Sequence, residues 1–329
     1  MGGIPNPLHA TMSERDTLRR LIDACAQTLN AAIRSGDYST QHVREIVSAA
    51  NQKIQIIADE TEWRSSSAAV GLRSSVKDAF QVIHHRHERK GAAPGLPTGF
   101  VKLDELMGGF MPGSLIALAS EACAGKSALA AQIAAHRAVE DKQPVCVFSM
   151  KRSATEYTLR LIAALGSVDR QHLRDGNFEE DDWPSVTKAI TQLSDAKILV
   201  DATTTQSILT LRSRMRATLR MHKAKLVVID SLELMDKPDC AADLRGIARE
   251  FDAAVLVLAQ SRGAVDVYAR LRDHSLEDHA DAILLLDRNQ TDSPESARLI
   301  VARNRNGRTG EVKLRYFPQF AWFEEARTA

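Results

Sequence analysis

The chain reads as an α/β protein. A mostly parallel sheet carries antiparallel strands at its C-terminal edge, and a small α-helical hairpin and a linker helix precede it. Three observations predict this. From residue 114 onward, short apolar runs alternate with helical patterns, as a parallel sheet with covering helices requires. The final runs are separated by short turns instead, which marks antiparallel pairing. Residues 13–60 carry apolar positions at helical spacing around the short connection Gly36-Asp37-Tyr38.

Residues 1–12 are expected to be extended or disordered; they contain Pro5 and Pro7. Ser13 then opens a helical pattern with Leu18, Leu21, Ile22, Cys25, Leu29 and Ile33 on one side, stopped by Gly36. A second pattern after Ser39 runs through Val43, Ile46, Val47, Ala50, Ile54 and Ile57, and together they predict a hairpin over 13–60. Residues 61–94 read as a linker and linker helix. A Ser/Ala-rich stretch leads to a stripe of Leu72, Val76, Phe80 and Ile83, and the following run of histidines and basic residues to Lys90 reads as a solvated polar end. Pro94 and Pro97 separate it from a large domain, 95–329.

In that domain the expected parallel strands are 114–119, 144–149, 196–201, 225–230, 253–260 and 281–286. The runs 296–303, 311–317 and 320–324 are the antiparallel edge, with Asn306-Gly307 as one turn.

With 329 residues and 44% hydrophobic content, a sizeable core is available. A net charge of +1 neither supports nor excludes a nucleic-acid partner. Cys25, Cys123, Cys146 and Cys240 form no C-x-x-C pair, which argues against a zinc site or disulfide framework and for a reducing compartment. No apolar run approaches roughly 18 residues. A soluble, cytoplasmic protein without a membrane partner is expected.

The most informative segment is Ser120-Glu121-Ala122-Cys123-Ala124-Gly125-Lys126-Ser127. It lies between an apolar strand and a helix bearing Leu129, Ile133 and Ala134, the setting of a phosphate-binding loop. Backbone N–H groups and the helix N-terminus can cradle phosphates, Lys126 can reach the terminal ones, and Ser127 can hold Mg²⁺. The first position of the G-x-x-x-x-G-K-[ST] pattern is Ser120 instead of glycine. Downstream, Lys225-Leu-Val-Val-Ile-Asp230 has the form of a Walker B strand, whose aspartate serves the metal. The strand from Ala253 ends in Gln260, an amide placed to sense a γ-phosphate or orient water. ATP and Mg²⁺ are the expected ligands.

These segments, in this order, resemble the RecA-like motor domain of DnaB-type replicative helicases. Carrying the resemblance are residues 97–127, Val147-Phe-Ser-Met150, Tyr157 through Val168-Asp169, Leu173-Arg-Asp-Gly176, Ile229-Asp-Ser-Leu-Glu-Leu-Met235, Leu258-Ala-Gln260 and Arg303-Asn-Arg-Asn-Gly307. It covers roughly 95–325, and 13–91 resemble the helical hairpin and linker helix ahead of that motor. The resemblance implies a ring-forming homo-oligomer, a hexamer in this family, driven by ATP along single-stranded DNA. Lys126, Ser127, Asp230 and Gln260 would come from one subunit; Arg305, with Arg303, would reach into the neighbour's site as an arginine finger.

The chain departs from the family in four places. The family's Phe-Ser-Leu-Glu, whose glutamate polarises the attacking water, is Phe148-Ser-Met-Lys151 here. A protonated ammonium accepts no proton, so impaired hydrolysis is expected; Glu121 and Glu156 are the candidate substitutes. The segment after Met235 is short, and the basic channel loop after Gln260 is trimmed. The family's glycine-containing phosphate contact reads Leu271-Arg-Asp-His274, leaving Arg262, Arg270 and Arg272 as candidate DNA contacts. The expected function is therefore a DnaB-like helicase or translocase in DNA replication with weakened hydrolysis. The alternative is a paralogue that co-assembles with a complete replicative helicase and regulates it. A recombination or repair ATPase of RecA fold fits the Phe-Ser-Met-Lys and Arg-Asn-Arg-Asn-Gly segments less well.

Overall fold

A computed structural model describes residues 12–35, scattered positions between 46 and 84, and 94–326 apart from 178, 205–206, 236–239, 262–274 and 289–292. The chain divides into two units, Met1–Lys90 and Gly91–Ala329. In the first, helix α1 spans Met12–Ser35. Most of the expected second helix and of the linker lies outside the described residues. Those that are described between 46 and 84 are helical, and Phe80 stacks on His84 one turn on. The side chains of Leu72, Val76, Phe80 and Ile83 are exposed. Among the described residues, no helix is long and apolar enough to cross a membrane.

The second unit is built on one nine-stranded sheet, in the order β3-β2-β4-β5-β1-β6-β7-β8-β9. Its strands are β1 (Leu115–Glu121), β2 (Val145–Ser149), β3 (Ile198–Asp201), β4 (Leu226–Asp230), β5 (Ala254–Ser261), β6 (Ala282–Arg288), β7 (Ser296–Asn304), β8 (Gly310–Phe317) and β9 (Trp322–Glu325). From β3 to β6 the neighbours pair parallel; from β6 to β9 they pair antiparallel. A short helix ahead of the sheet, α2 (Val101–Met107), buries Leu103 and Met107. The expected 320–324 strand begins later, at Trp322. Pro318 lacks the N–H a ladder needs, and Ala321 takes a left-handed φ of 54°, so Pro318 to Ala321 form the hairpin turn.

Near-continuous apolar strands make sense here because both faces of the parallel half are covered. In β5, Ala254, Leu256 and Leu258 enter one core cluster while Val255, Val257 and Ala259 enter the other. The first cluster lies beneath helix α3 (Lys126–Val139) and helix α4 (Ala154–Gly166), which contribute Leu129, Ile133, Tyr157 and Leu161. Next in chain order are α5 (Arg170–Asp175) and α6 (Asp182–Asp195). The second cluster lies beneath α7 (Ile208–His222) and α8 (Ala241–Phe251), through Leu211, Met215, Leu244 and Ile247.

Helix starts follow local chemistry. Ser153 and Glu156 form a capping box at α4: the Ser153 side chain accepts from Glu156 N–H, and the Glu156 carboxylate accepts from Ser153 N–H at 2.8 Å. Asp169 caps α5 by accepting from Gln171 N–H at 2.7 Å.

Leu256 is fully buried on β5, between β1 and β4. Leu256→Ala should cost about 2–5 kcal/mol, the usual range for truncating a packed core leucine. Urea denaturation followed by circular dichroism measures it. A cost under about 1 kcal/mol would mean β5 is not the packed centre of the sheet.

Candidate nucleotide site

The site lies at the carboxyl ends of the parallel strands, where open α/β sheets bind ligands. β1 runs through Ser120, which pairs in register with Gln260 of β5. Ser149 at the end of β2 pairs in register with Asp230 at the end of β4. Two-sided burial thus brings the ends of β2, β4, β5 and β1 to one rim.

The phosphate-loop segment leaves this rim as strand, turn and helix. Ser120 and Glu121 are still extended strand, and Ser120 is buried. An in-strand position needs no glycine, so serine fits the first position of the pattern. The left-handed backbone falls later, at Cys123 (φ 59°) and Gly125 (φ 108°). Gly125 also meets a wall: a Cβ there would lie 2.7 Å from Cζ of Phe323, a fully buried ring packed against Tyr316. Arg288 of β6 braces the turn. Its Nε donates to the Ala124 carbonyl at 3.0 Å, its Nη2 to that of Cys123 at 2.5 Å, and its guanidinium covers the Tyr316 ring. Ala122 and Cys123 are exposed, Ala124 is buried, and Ser127 is partly exposed in the first turn of α3.

Lys126 is buried, with its Nζ 3.5 Å from the Glu121 carbonyl. Burial lowers its ammonium pKa below the usual lysine value. Glu233 opposes that shift, Lys151 reinforces it, and Asp230 opposes it more weakly.

Lys151, just past β2, makes an ion pair with Glu233 Oε2 at 3.2 Å. The next residue, Arg152, reaches Asp230 Oδ2 at 3.4 Å. Glu233 sits in the single 3₁₀ turn Leu232–Leu234 after β4. Its Oε2 also accepts from Ser231 Oγ, and its Oε1 accepts from Gln260 N–H. Burial pushes the Glu233 carboxyl up, but the Ser231 and Gln260 hydrogen bonds and the Lys151 ammonium outweigh it and hold it below the ordinary range. Two cations that follow β2 are thus paired with two carboxylates at and just after the end of β4.

Glu233 and Arg152 were not singled out from the sequence. The signal was there: an acid three residues past Asp230 complements the lysine at 151. Of the expected substitutes, Glu156 is committed to its capping box and Glu121 is exposed at the end of β1.

Oxygen donors suit Mg²⁺, which keeps several waters and takes few protein ligands. Among the described residues no group of three or more His, Cys, Asp or Glu forms a metal cluster. The Ser127 hydroxyl and the Asp230 carboxylate are oxygen donors of that kind, and Arg152 pairs with one Asp230 oxygen.

Arg303 and Arg305 are elsewhere, at the end of β7 and in the exposed turn after it. Both fold back on α9 (Leu276–His279). Arg303 Nη1 donates to the Glu277 carbonyl. Arg305 donates to the Asp278 carbonyl at 2.8 Å and pairs with Asp281 at 3.6 Å. Arg262, Arg270 and Arg272 lie outside the described residues, as does most of the short segment after Met235.

The family model for the DnaB-like helicase C-terminal domain matches residues 95–325, so the chain belongs to that family. It is 28% identical over 337 residues to the replicative DNA helicase DnaC of Bacillus subtilis (strain 168), covering 95% of this chain and 73% of that protein. It is 27% identical over 337 residues to the replicative DNA helicase DnaB of Geobacillus stearothermophilus, with the same coverage. Among solved structures, that of an ATPase domain superposes with a TM-score of 0.70 at 25% identity, covering 77% of this chain and 99% of that one. A DnaB-like replicative helicase, described with its interactions with primase, superposes with a TM-score of 0.67 at 24% identity, over 94% of this chain and 77% of that one. The fold is thus the RecA-like ATPase fold of DnaB-like helicases, and the family's work is the helicase step of DNA replication.

Gly125→Ala should destabilise the protein by about 1–3 kcal/mol, from a side chain at positive φ and overpacking against Phe323. Thermal unfolding of the variant checks it. A melting temperature equal to wild type would show that Phe323 does not close the space behind the loop.

Proposed function

We propose that this chain is an ATP-binding motor subunit of DnaB type. It assembles as a ring on single-stranded DNA and turns ATP over slowly because Lys151 stands where the family has its glutamate. The observation that carries this reading is the Lys151–Glu233 ion pair beside the phosphate loop. On this reading, residues 13–60 form a helical hairpin, 61–94 a linker with its helix, and 95–329 the ATPase domain. Ser120 to Ser127 wrap the phosphates with backbone N–H groups, and Lys126 meets the β- and γ-phosphates. Ser127 and Asp230 hold Mg²⁺, which supplies charge neutralisation on the phosphate oxygens. Gln260 senses the γ-phosphate from the end of β5. Lys151 adds positive charge there, which favours holding ATP, yet it offers no lone pair to water while protonated.

Arg303 and Arg305 act on a neighbouring subunit's nucleotide, exchanging their contacts near α9 for phosphate oxygens. The exposed stripe Leu72, Val76, Phe80 and Ile83 supports assembly, since an apolar helix face needs a partner surface, and a second copy of this chain supplies it. Arg262, Arg270 and Arg272 are the proposed DNA-phosphate contacts. The cytoplasm is the proposed location.

The same lysine favours a second reading. A subunit that binds ATP without efficient turnover could enter the ring of a complete replicative helicase and regulate it. Mass photometry of the chain with ATP, alone and mixed with such a helicase, separates a ring of its own from co-assembly.

Lys126→Ala should weaken ATP binding at least about tenfold, about 1.4 kcal/mol, by removing the charge that meets the phosphates. Equal affinities by calorimetry would overturn the phosphate-loop assignment.

The charge pairing also changes what a restored glutamate can do. Lys151→Glu alone would set two carboxylates against each other, and like charges at that range resist joint ionisation. Lys151→Glu combined with Glu233→Gln should raise kcat by roughly tenfold to a thousandfold, the usual contribution of one general base. No gain in steady-state ATPase, with ATP still bound, would show that a carboxylate at position 151 does not serve as the base.

A further inference from the structure

We propose that Glu233 is the carboxylate that orients the attacking water and takes its proton in this chain, and that Lys151 restrains it by ion pairing. The inference rests on the reading of the site as an ATP site and adds a residue to it.

Position comes first. The 3₁₀ turn carrying Glu233 begins two residues after Asp230. The Gln260 N–H donates to Glu233, and Gln260 is in register with Ser120, the first residue of the phosphate loop. Glu233 is thus tied to the ends of two strands and lies one strand away from the loop. Its side chain also lies within reach of position 151, where the resemblance places a carboxylate: Lys151 Nζ is 3.2 Å from Oε2. The lost acid and the present one bracket the same volume from β2 and β4. Glu233 acts more strongly on Lys126 than Asp230 does.

Capacity comes next. An ionised carboxylate offers about four lone-pair sites. Gln260 N–H takes one on Oε1, while Ser231 Oγ and Lys151 Nζ share Oε2. A triphosphate is a stronger attractor for an ammonium than a single carboxylate already satisfied by two other donors. When ATP binds, Lys151 turns toward the γ-phosphate and releases Oε2 to water. Of the other nearby acids, Asp230 pairs with Arg152, Glu156 is held in its capping box, and Glu121 is exposed at the end of β1. The Glu233 side chain keeps 13% of its surface open.

The step balances without a further reactant. The water oxygen bonds to the γ-phosphorus as the bond from phosphorus to the bridging oxygen breaks. The bridging oxygen leaves on ADP with the electron pair. The water proton passes to Glu233 and then to the released phosphate, regenerating the carboxylate.

The test measures ATP affinity by calorimetry and kcat by steady-state phosphate release on the full chain. The variants are Glu233→Gln, Lys151→Met and the two combined. Glu233→Gln should lower the residual kcat at least about tenfold with ATP affinity retained. Lys151→Met restores no carboxylate, yet it should raise kcat about tenfold or more by freeing Glu233, and the double variant should lose that gain. If Lys151→Met gives no gain, or its gain survives Glu233→Gln, the proposal is overturned. Should Glu233→Gln fail to fold, Lys151→Met with Glu233→Asp carries the test: a shorter carboxylate must keep part of the gain, and a full gain or none counts against the role of Glu233. Loss of ATP binding in wild type would instead remove the nucleotide reading itself, a different result from unaltered turnover with ATP bound.

Discussion

The candidate site is built at the carboxyl ends of parallel strands, and burial on both faces fixes how those ends line up. A slip of one residue in β5 would exchange Leu256 and Val257 between the two cores and carry Gln260 away from Ser120. The same holds for β4, whose alternation of Val228 and Ile229 between the cores fixes Asp230 opposite Ser149. The phosphate loop, Asp230, Gln260 and Lys151 are neighbours because the hydrophobic pattern admits one register.

The charges at this rim are unusual for a hydrolytic site. Lys151 and Arg152 follow β2 in succession, and each meets an acid that follows or ends β4. With Lys126 beside them, the rim is built to hold phosphate charge. Of these groups only a carboxylate can receive a proton from water at neutral pH, and Glu233 and Asp230 are the ones in contact with the added cations. On the proposed reading, binding and turnover are separable properties: the cations favour the first, and Lys151 restrains the second.

The fold was legible because its signals are local and strong. Apolar runs of six to eight residues bounded by turns gave β2, β4 and β5 within one residue at each end and β1 to within two, and Gly125-Lys126-Ser127 marked the loop. The start of β9 was missed because a turn through Ala321 at positive φ has no glycine to announce it. The serine at position 120 departs from the glycine pattern, and its place in the fold accommodates it, since that residue is still strand. Glu233 lies within the segment Ile229–Met235, where nothing local marks it as functional. Its meaning depends on Lys151, 82 residues earlier in the chain. Arg288 likewise belongs to a distant strand and touches the loop through its carbonyls, which leave no trace in composition or spacing.

The measurement that bears most directly on this account compares ATP binding with ATP turnover in the wild-type chain, with and without single-stranded DNA. ATP should bind in calorimetry while phosphate release stays below roughly 0.1 per second even with DNA present, well under the ~10 per second median of enzymes. Turnover near that median on DNA, unchanged when Lys151 is replaced, would contradict the account: the lysine would then be a bystander and the base would lie elsewhere.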